Sequence, residues 1–156
     1  RGLTRFVSMQ NHYNLLYREE EREMMPLCRD QGIGVIPWSP LARGKLARAT
    51  PKPGGTARAE TDHLTGELYD HPGDGEIIAA NARIAEARGV SPARTALAWL
   101  LSRPGVTAPI IGATRLEHLD DAVAALDLSL TAEEIAELEA PYSPRPIRGW
   151  YEGRRR

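Results

Sequence analysis

Residues 34–45 read GVIPWSPLARGK, and this stretch decides the fold. Val35 and Ile36 are β-branched and favour a strand, whereas Pro37 and Pro40 end any regular ladder. Trp38 and Ser39 are therefore expected at the carboxyl end of a strand. In barrels built from strand–helix units, that end is where ligands bind. The stretch then turns through Gly44, with Arg43, Lys45 and Arg48 close by. A flat indole, a hydroxyl, backbone amides and basic side chains suit a guest with an aromatic ring and a pyrophosphate, as in a dinucleotide.

Working outward from this stretch, residues 6–11 read as a short strand with Ser8 and Gln10 on one face and Val7 and Met9 on the other. Residues 19–31 read as a helix, acidic at the start and with Arg29 near the end, which suits the macrodipole. Pro26 is expected to kink or restart it. Gly32 then ends the helix, and residues 33–37 form the second strand. Residues 49–75, rich in Pro, Gly, Thr and Asp, show no period and predict a functional flap or an insertion.

Beyond that, Ile77, Ala80, Ile84 and Ala87 give residues 76–88 a helical spacing that Gly89 stops. Ser91 and Pro92 are a cap and a first helical residue, opening a helix that carries Ala96, Leu97, Trp99, Leu100 and Leu101 as far as Pro104. Residues 106–112 form the third strand. Thr114 with Glu117, and Thr131 with Glu134, both match the capping box, so a helix is predicted to start at each. The first is expected to turn Leu116, Leu119, Val123 and Leu126 inward. The second ends near Pro141, before a Pro- and Arg-rich tail.

This order of strands and helices is α/β, which calls for parallel strands. Three strands cannot close a barrel, and a parallel sheet needs cover on both faces. The fold expected is thus the C-terminal portion, about strands 6–8, of an incomplete (β/α)8 TIM barrel. Residues 1–142 form the partial barrel domain and residues 143–156 the tail. The opening Arg-Gly-Leu-Thr, with no methionine and a strand almost at once, predicts a chain entered partway through.

Bulk properties remove several function classes. Of 156 residues, 42% are apolar, enough to fill an ordinary core. A net charge of −1 gives no long-range field for nucleic acid. Cys28, the single cysteine, excludes an internal disulfide and reads as a buried structural thiol. No apolar run has the length to span a bilayer, and the expected location is cytoplasmic. His12, His63 and His71 show no ligand spacing, so no metal site is expected.

Three segments resemble the NADP-dependent aldo-keto reductases. SMQNHYNLL is similar to their sixth-strand segment, GIGVIPWSPLARGKL to the seventh, and VTAPIIGATRLEHLDDAV to the eighth with its helix. SPARTALAWLLSRPGVTAPIIGAT resembles the branch that includes relatives of potassium-channel β subunits. The resemblance runs from about Phe6 to Tyr142.

It implies that Gln10 bonds a nicotinamide carboxamide and that Trp38 stacks on the nicotinamide ring. It implies further that Ser39, Pro40, Leu41, Ala42 and Arg43 wrap the pyrophosphate, and that Gly112, Thr114, His118 and Asp121 contact the adenosine 2′-phosphate and adenine. Arg58 falls where the family often has a basic residue folding over the cofactor. His118 stands where glutamine or arginine is usual, and Ala122 where asparagine is usual.

The residues themselves agree in part. A helix start at Thr114, with Arg115 beside it, is a phosphate site by its amides and dipole. Taken alone, Trp38 also reads as a core filler, Arg43, Lys45 and Arg48 as solvated charges, and His118 as a surface histidine. In the family, a tyrosine, lysine, aspartate and histidine on earlier strands supply the proton, so no catalytic residue is expected here. The resemblance thus implies the NADP(H)-binding part of a reductase of aldehydes or ketones, or of the reverse reaction. The alternatives are an NADP-sensing binding module and an inactive remnant. Expected partners are a small carbonyl or alcohol substrate, no nucleic acid and no membrane, with self-association through exposed strand edges.

Overall fold

The structure is a computed structural model that describes residues 2–48 and 63–147. Strand β1 (Ser8–Met9) pairs in parallel with β2 (Gly34–Val35). A parallel bridge between Val35 and Val106 adds the neighbouring segment on the other side of β2. Val35 N donates to Gly105 O at 3.3 Å, and Thr107 N to Val35 O at 2.8 Å. The close approach explains Gly34, where a Cβ would lie 3.0 Å from Thr107 Oγ1. The expected parallel order therefore holds, but residues 106–112 form one bridge rather than a strand. Pro109 lacks an amide hydrogen and cannot donate to a ladder.

Helix α1 (Met24–Gln31) follows a separate 3₁₀ turn at Glu19–Glu21, so the expected single helix over residues 19–31 is two pieces. Pro26 does not kink α1. It sits in the first turn, where an amide hydrogen has no intrahelical partner to lose. Gly32 closes the helix in the left-handed region, φ 65°, as its sequence position predicts. Helix α2 (His63–Leu68) occupies part of the stretch expected to lack structure, and α3 (Asp74–Arg88) begins two residues before the predicted start.

Helix α4 (Pro92–Leu101) is capped as expected, the Ser91 side chain accepting from Arg94 N. Its residues Thr95–Leu100 are all buried. Around Trp99 the core gathers Tyr13, Leu15, Leu16, Leu46, Ile77, Leu100 and Leu138. The Trp99 indole N–H donates to Glu139 Oε1 at 2.8 Å, and Arg18 and Arg103 lie over the ring.

The two capping boxes part company. At α6 (Ala132–Glu139) Thr131 and Glu134 form the full reciprocal box. At α5 (Leu116–Ala124) the cap position is Arg115, one residue later than predicted, with no side-chain cap bond. The apolar face of α5 also points the other way from expectation. Leu116, Leu119, Val123 and Leu126 are all exposed, as are Phe6, Val7 and Ile110. Nothing among the described residues covers them.

The tail holds a further surprise. Arg145 is buried and makes a two-pronged ion pair with Asp74 at the start of α3, at 2.7 and 3.4 Å. Its backbone N–H donates to Glu19 Oε1 at 2.7 Å, and the Tyr142 hydroxyl donates to the same oxygen at 2.7 Å. Residues beyond 142 are thus tied to the start of α3 and to Glu19 through Arg145. Among the described residues, no helix is long and apolar enough to cross a membrane.

Candidate functional site

The site is built where β1 and β2 run out. Ile36 N donates to Met9 O and Trp38 N to Asn11 O, both at 2.9 Å, which extends the parallel register to a bridge between His12 and Trp38. That register sets the two side chains beside one another. The imidazole lies on the indole with centroids 4.2 Å apart and planes 14° from parallel. Tyr17 covers the far face of the imidazole at 4.2 Å and 13°. The Tyr69 ring meets it edge-on, and the Tyr69 hydroxyl is 2.6 Å from His12 Nε2. Burial, and then the charge of Arg145, pull the His12 pKa down to about 4, so the ring is neutral near pH 7. Trp38 itself stays partly exposed.

The next residues fold into a tight turn. Ser39, Ala42 and Arg43 all have positive φ (57°, 48° and 55°), and Gly44 has φ 98°. Three non-glycine residues in the left-handed region within five positions is a strained arrangement that surrounding contacts must enforce. Two backbone bonds at 2.9 Å, Ala42 N to Ser39 O and Gly44 N to Leu41 O, close the turn. Asn81, buried on α3, donates to Leu46 O at 3.1 Å and Pro92 O at 3.0 Å, tying the turn to α3 and α4. Pro40 and Ala42 are buried and Leu41 packs on the core, so these three contribute backbone and packing. Arg43 Nε donates to Thr65 Oγ1 at 3.2 Å and Lys45 Nζ to Tyr69 O, so both basic residues hold the returning segment that contains α2.

The other predicted residues surround the start of α5. Gly112 faces open space, and Thr114 and His118 are exposed. His118 Nε2 lies 3.0 Å from the Arg115 guanidinium, and Asp121 pairs with Arg94 on α4 at 3.0 Å. The first turn of α4 is thus linked to both groups, through Asn81, which bridges Pro92 to Leu46, and through Arg94 to α5. Gln10 is exposed, because the face that carries Ser8 and Gln10 is uncovered among the described residues. Arg58 lies outside the described residues.

The Aldo/keto reductase family model matches residues 1–142. This chain belongs to the aldo/keto reductase family. Three relatives illustrate the similarity. A Schizosaccharomyces pombe protein whose name assigns it provisionally to the aryl-alcohol dehydrogenases is 47% identical over 95% of this chain and 42% of its own length. The aldo-keto reductase AMT2 of Alternaria alternata is 49% identical over 94% of this chain and 39% of its own. The versiconal hemiacetal acetate reductase of Aspergillus parasiticus is 44% identical over 94% and 43%. The chain therefore spans about two fifths of the length of these relatives.

Family membership brings a (β/α)8 barrel and, in general, a nicotinamide cofactor. In this aldo/keto reductase chain the α/β piece carries two short parallel strands among the described residues. The sequence reading passed over four residues that hold the Trp38 region together: His12, Asn14, Tyr69 and Asn81. For two of them a signal was present. Gln10, His12 and Asn14 alternate with period two toward a strand's carboxyl end, which marks one face. Tyr69 and Asn81 carry no such mark, because the bonds that tie them to His12 and to Leu46 span 57 and 35 residues of chain.

Proposed function

We propose that this chain is the cofactor-binding, C-terminal part of an NADP(H)-dependent aldo/keto reductase, with β1, β2 and the segment at Val106 as the last three strands of its barrel. The reading is supported above all by one observation. Trp38 ends a strand as a partly exposed aromatic plane, backed on one face by His12 and followed at once by a strained turn. An indole that were only core filler would have no reason to stay partly open beside strained backbone.

The donor set suits the group. Trp38 would lie against the nicotinamide ring, with Gln10 near its carboxamide. The turn from Ser39 to Arg43, with Arg58, would follow the pyrophosphate. Gly112, Thr114, His118 and Asp121 would take the adenosine end, with Arg115 supplying charge for a 2′-phosphate. When bound, this cofactor supplies a hydride to a carbonyl carbon or takes one from an alcohol. The chain's own part is orientation: a fixed ring plane at Trp38 and anchored phosphates. A proton donor is assigned to a part of the barrel outside this chain, so the chain alone is expected to bind without turnover.

The substrate is proposed to be a small aldehyde or ketone, or the matching alcohol, in the cytoplasm. Neither nucleic acid nor membrane is a partner in this reading, and the strand edges are proposed to pair with another chain. Fluorescence titration of the 156-residue chain with NADPH and NADH tests the proposal. Saturable binding with NADPH preferred is expected. Equal, weak response to both would leave the 38–43 turn as packing alone.

A further inference from the structure

We infer that Tyr69 is a positioning residue for Trp38, acting through His12, and so sets the plane on which a nicotinamide ring is received. The inference rests on the cofactor reading above. It starts from the bonds at one phenol. Tyr69 is fully buried, and its hydroxyl lies 2.6 Å from His12 Nε2 and 3.0 Å from Asn14 Nδ2. Asn14 Nδ2 also donates to Ser39 O at 2.9 Å, and stands 3.3 Å from His12 Nε2. Asn14 Nδ2 directs its two hydrogens to Ser39 O and to the Tyr69 oxygen, so the phenol's own proton goes to His12 Nε2, which is then the acceptor and leaves the ring proton on Nδ1.

The consequence is geometric. The imidazole is a middle layer between Tyr17 and Trp38, and stacking alone would let it turn within its plane. The bond to Tyr69 removes that freedom. Ser39 is pinned through Asn14, so the indole is fixed on one side by a ring and at its following residue by a backbone acceptor. Tyr69 is in turn held by Lys45, whose ammonium donates to its carbonyl. The phenol is thus the common tie between the end of β1, the end of β2 and the segment that returns after α2. Removing its hydroxyl leaves the stack in place but free to tilt.

The test compares two ligands that differ only at the nicotinamide end. NADPH and 2′-phospho-ADP-ribose are titrated into the wild-type 156-residue chain, Tyr69→Phe, His12→Phe and the double variant. His12→Phe keeps a flat ring in the stack but removes the acceptor, so it serves should Tyr69→Phe fold poorly. NADPH binding is expected to weaken roughly three- to tenfold in either single variant, the scale of losing the His12–Tyr69 hydrogen bond that both break. Binding of 2′-phospho-ADP-ribose should stay within about twofold, and the double variant should lose less than the two single losses combined, because both substitutions break the same His12–Tyr69 bond. Equal loss for both ligands would overturn the inference, marking Tyr69 as a general prop of the fold. Unchanged NADPH binding in both single variants would overturn it as well. A wild-type chain that binds neither ligand would instead remove the cofactor reading beneath it, a result visible before any variant is made.

Discussion

The imidazole of His12 lies parallel to the indole of Trp38 at 4.2 Å, and burial holds its pKa near 4 against an ordinary 6.5. The two facts share a cause. A ring pressed between two aromatic planes has little water to solvate a charge, and the nearby Arg145 adds repulsion.

Stability should therefore fall in acid. In the unfolded chain His12 takes up its proton as pH drops through 6.5, while in the folded chain it resists until about 4. The unfolded state binds more protons across that window, so stability is full above pH 6.5 and declines down to about pH 4. The loss attributable to His12 between pH 7.5 and 4.5 is roughly 2–3 kcal/mol. Urea denaturation at the two pH values, with His12→Phe as the reference lacking this titration, measures it. Identical acid losses in both proteins would mean that the imidazole titrates as an exposed one does.

Trp38→Ala should weaken NADPH binding about threefold to tenfold, the worth of an aromatic stack beyond burial. Arg115→Ala should narrow the preference for NADPH over NADH, and salt should weaken that preference in the wild type. Fluorescence titration at two ionic strengths reads both. An unaltered affinity in Trp38→Ala would remove the stacking role.

Arg145→Ala should be strongly destabilising, by about 3–5 kcal/mol, because it strands the buried Asp74 carboxylate. Replacing both partners with apolar residues of similar size should cost much less. Chemical denaturation of the single and double variants separates these outcomes. A loss below about 1 kcal/mol in Arg145→Ala would show that water reaches the pair.

The two threonines that look alike in sequence should behave differently. Thr131→Ala removes a formed cap and should cost about 1 kcal/mol, whereas Thr114→Ala should cost little because Thr114 caps nothing. Thermal melts of the pair decide it. Equal losses would place Thr114 at a working cap.

The exposed apolar face of α5 should drive self-association. Leu116 is 77% exposed and Val123 56%. Leu119→Glu with Val123→Glu is expected to raise the monomer fraction in analytical ultracentrifugation without lowering the melting temperature. A wild-type chain that sediments as a clean monomer at high concentration would contradict this.

Much of the fold could be read from local pattern. Gly32 and Gly89 mark helix ends because only a residue without Cβ takes the left-handed position readily, and both do so here. Ser91-Pro92 and Thr131 with Glu134 were legible because a cap needs only residues three apart. The same logic failed at Thr114 with Glu117. There His118 lies against the Thr114 amide, Nδ1 to N at 3.5 Å, and pairs with Arg115, and the helix starts one residue late.

By itself the sequence determined the family, the alternation of strands and helices, and the strand that delivers Trp38 and Ser39 to its carboxyl end. Each of these depends on neighbours in the chain: β-branched runs, prolines, caps and a motif of contiguous residues. Which way α5 faces, that Arg145 is buried against Asp74, and that Tyr69 locks His12 onto Trp38 were decided only in three dimensions. Helical periodicity says that one face of α5 is apolar but not what covers it. An ion pair across 71 residues, or a hydrogen bond across 57, leaves no local trace, because it exists only once the intervening chain has folded.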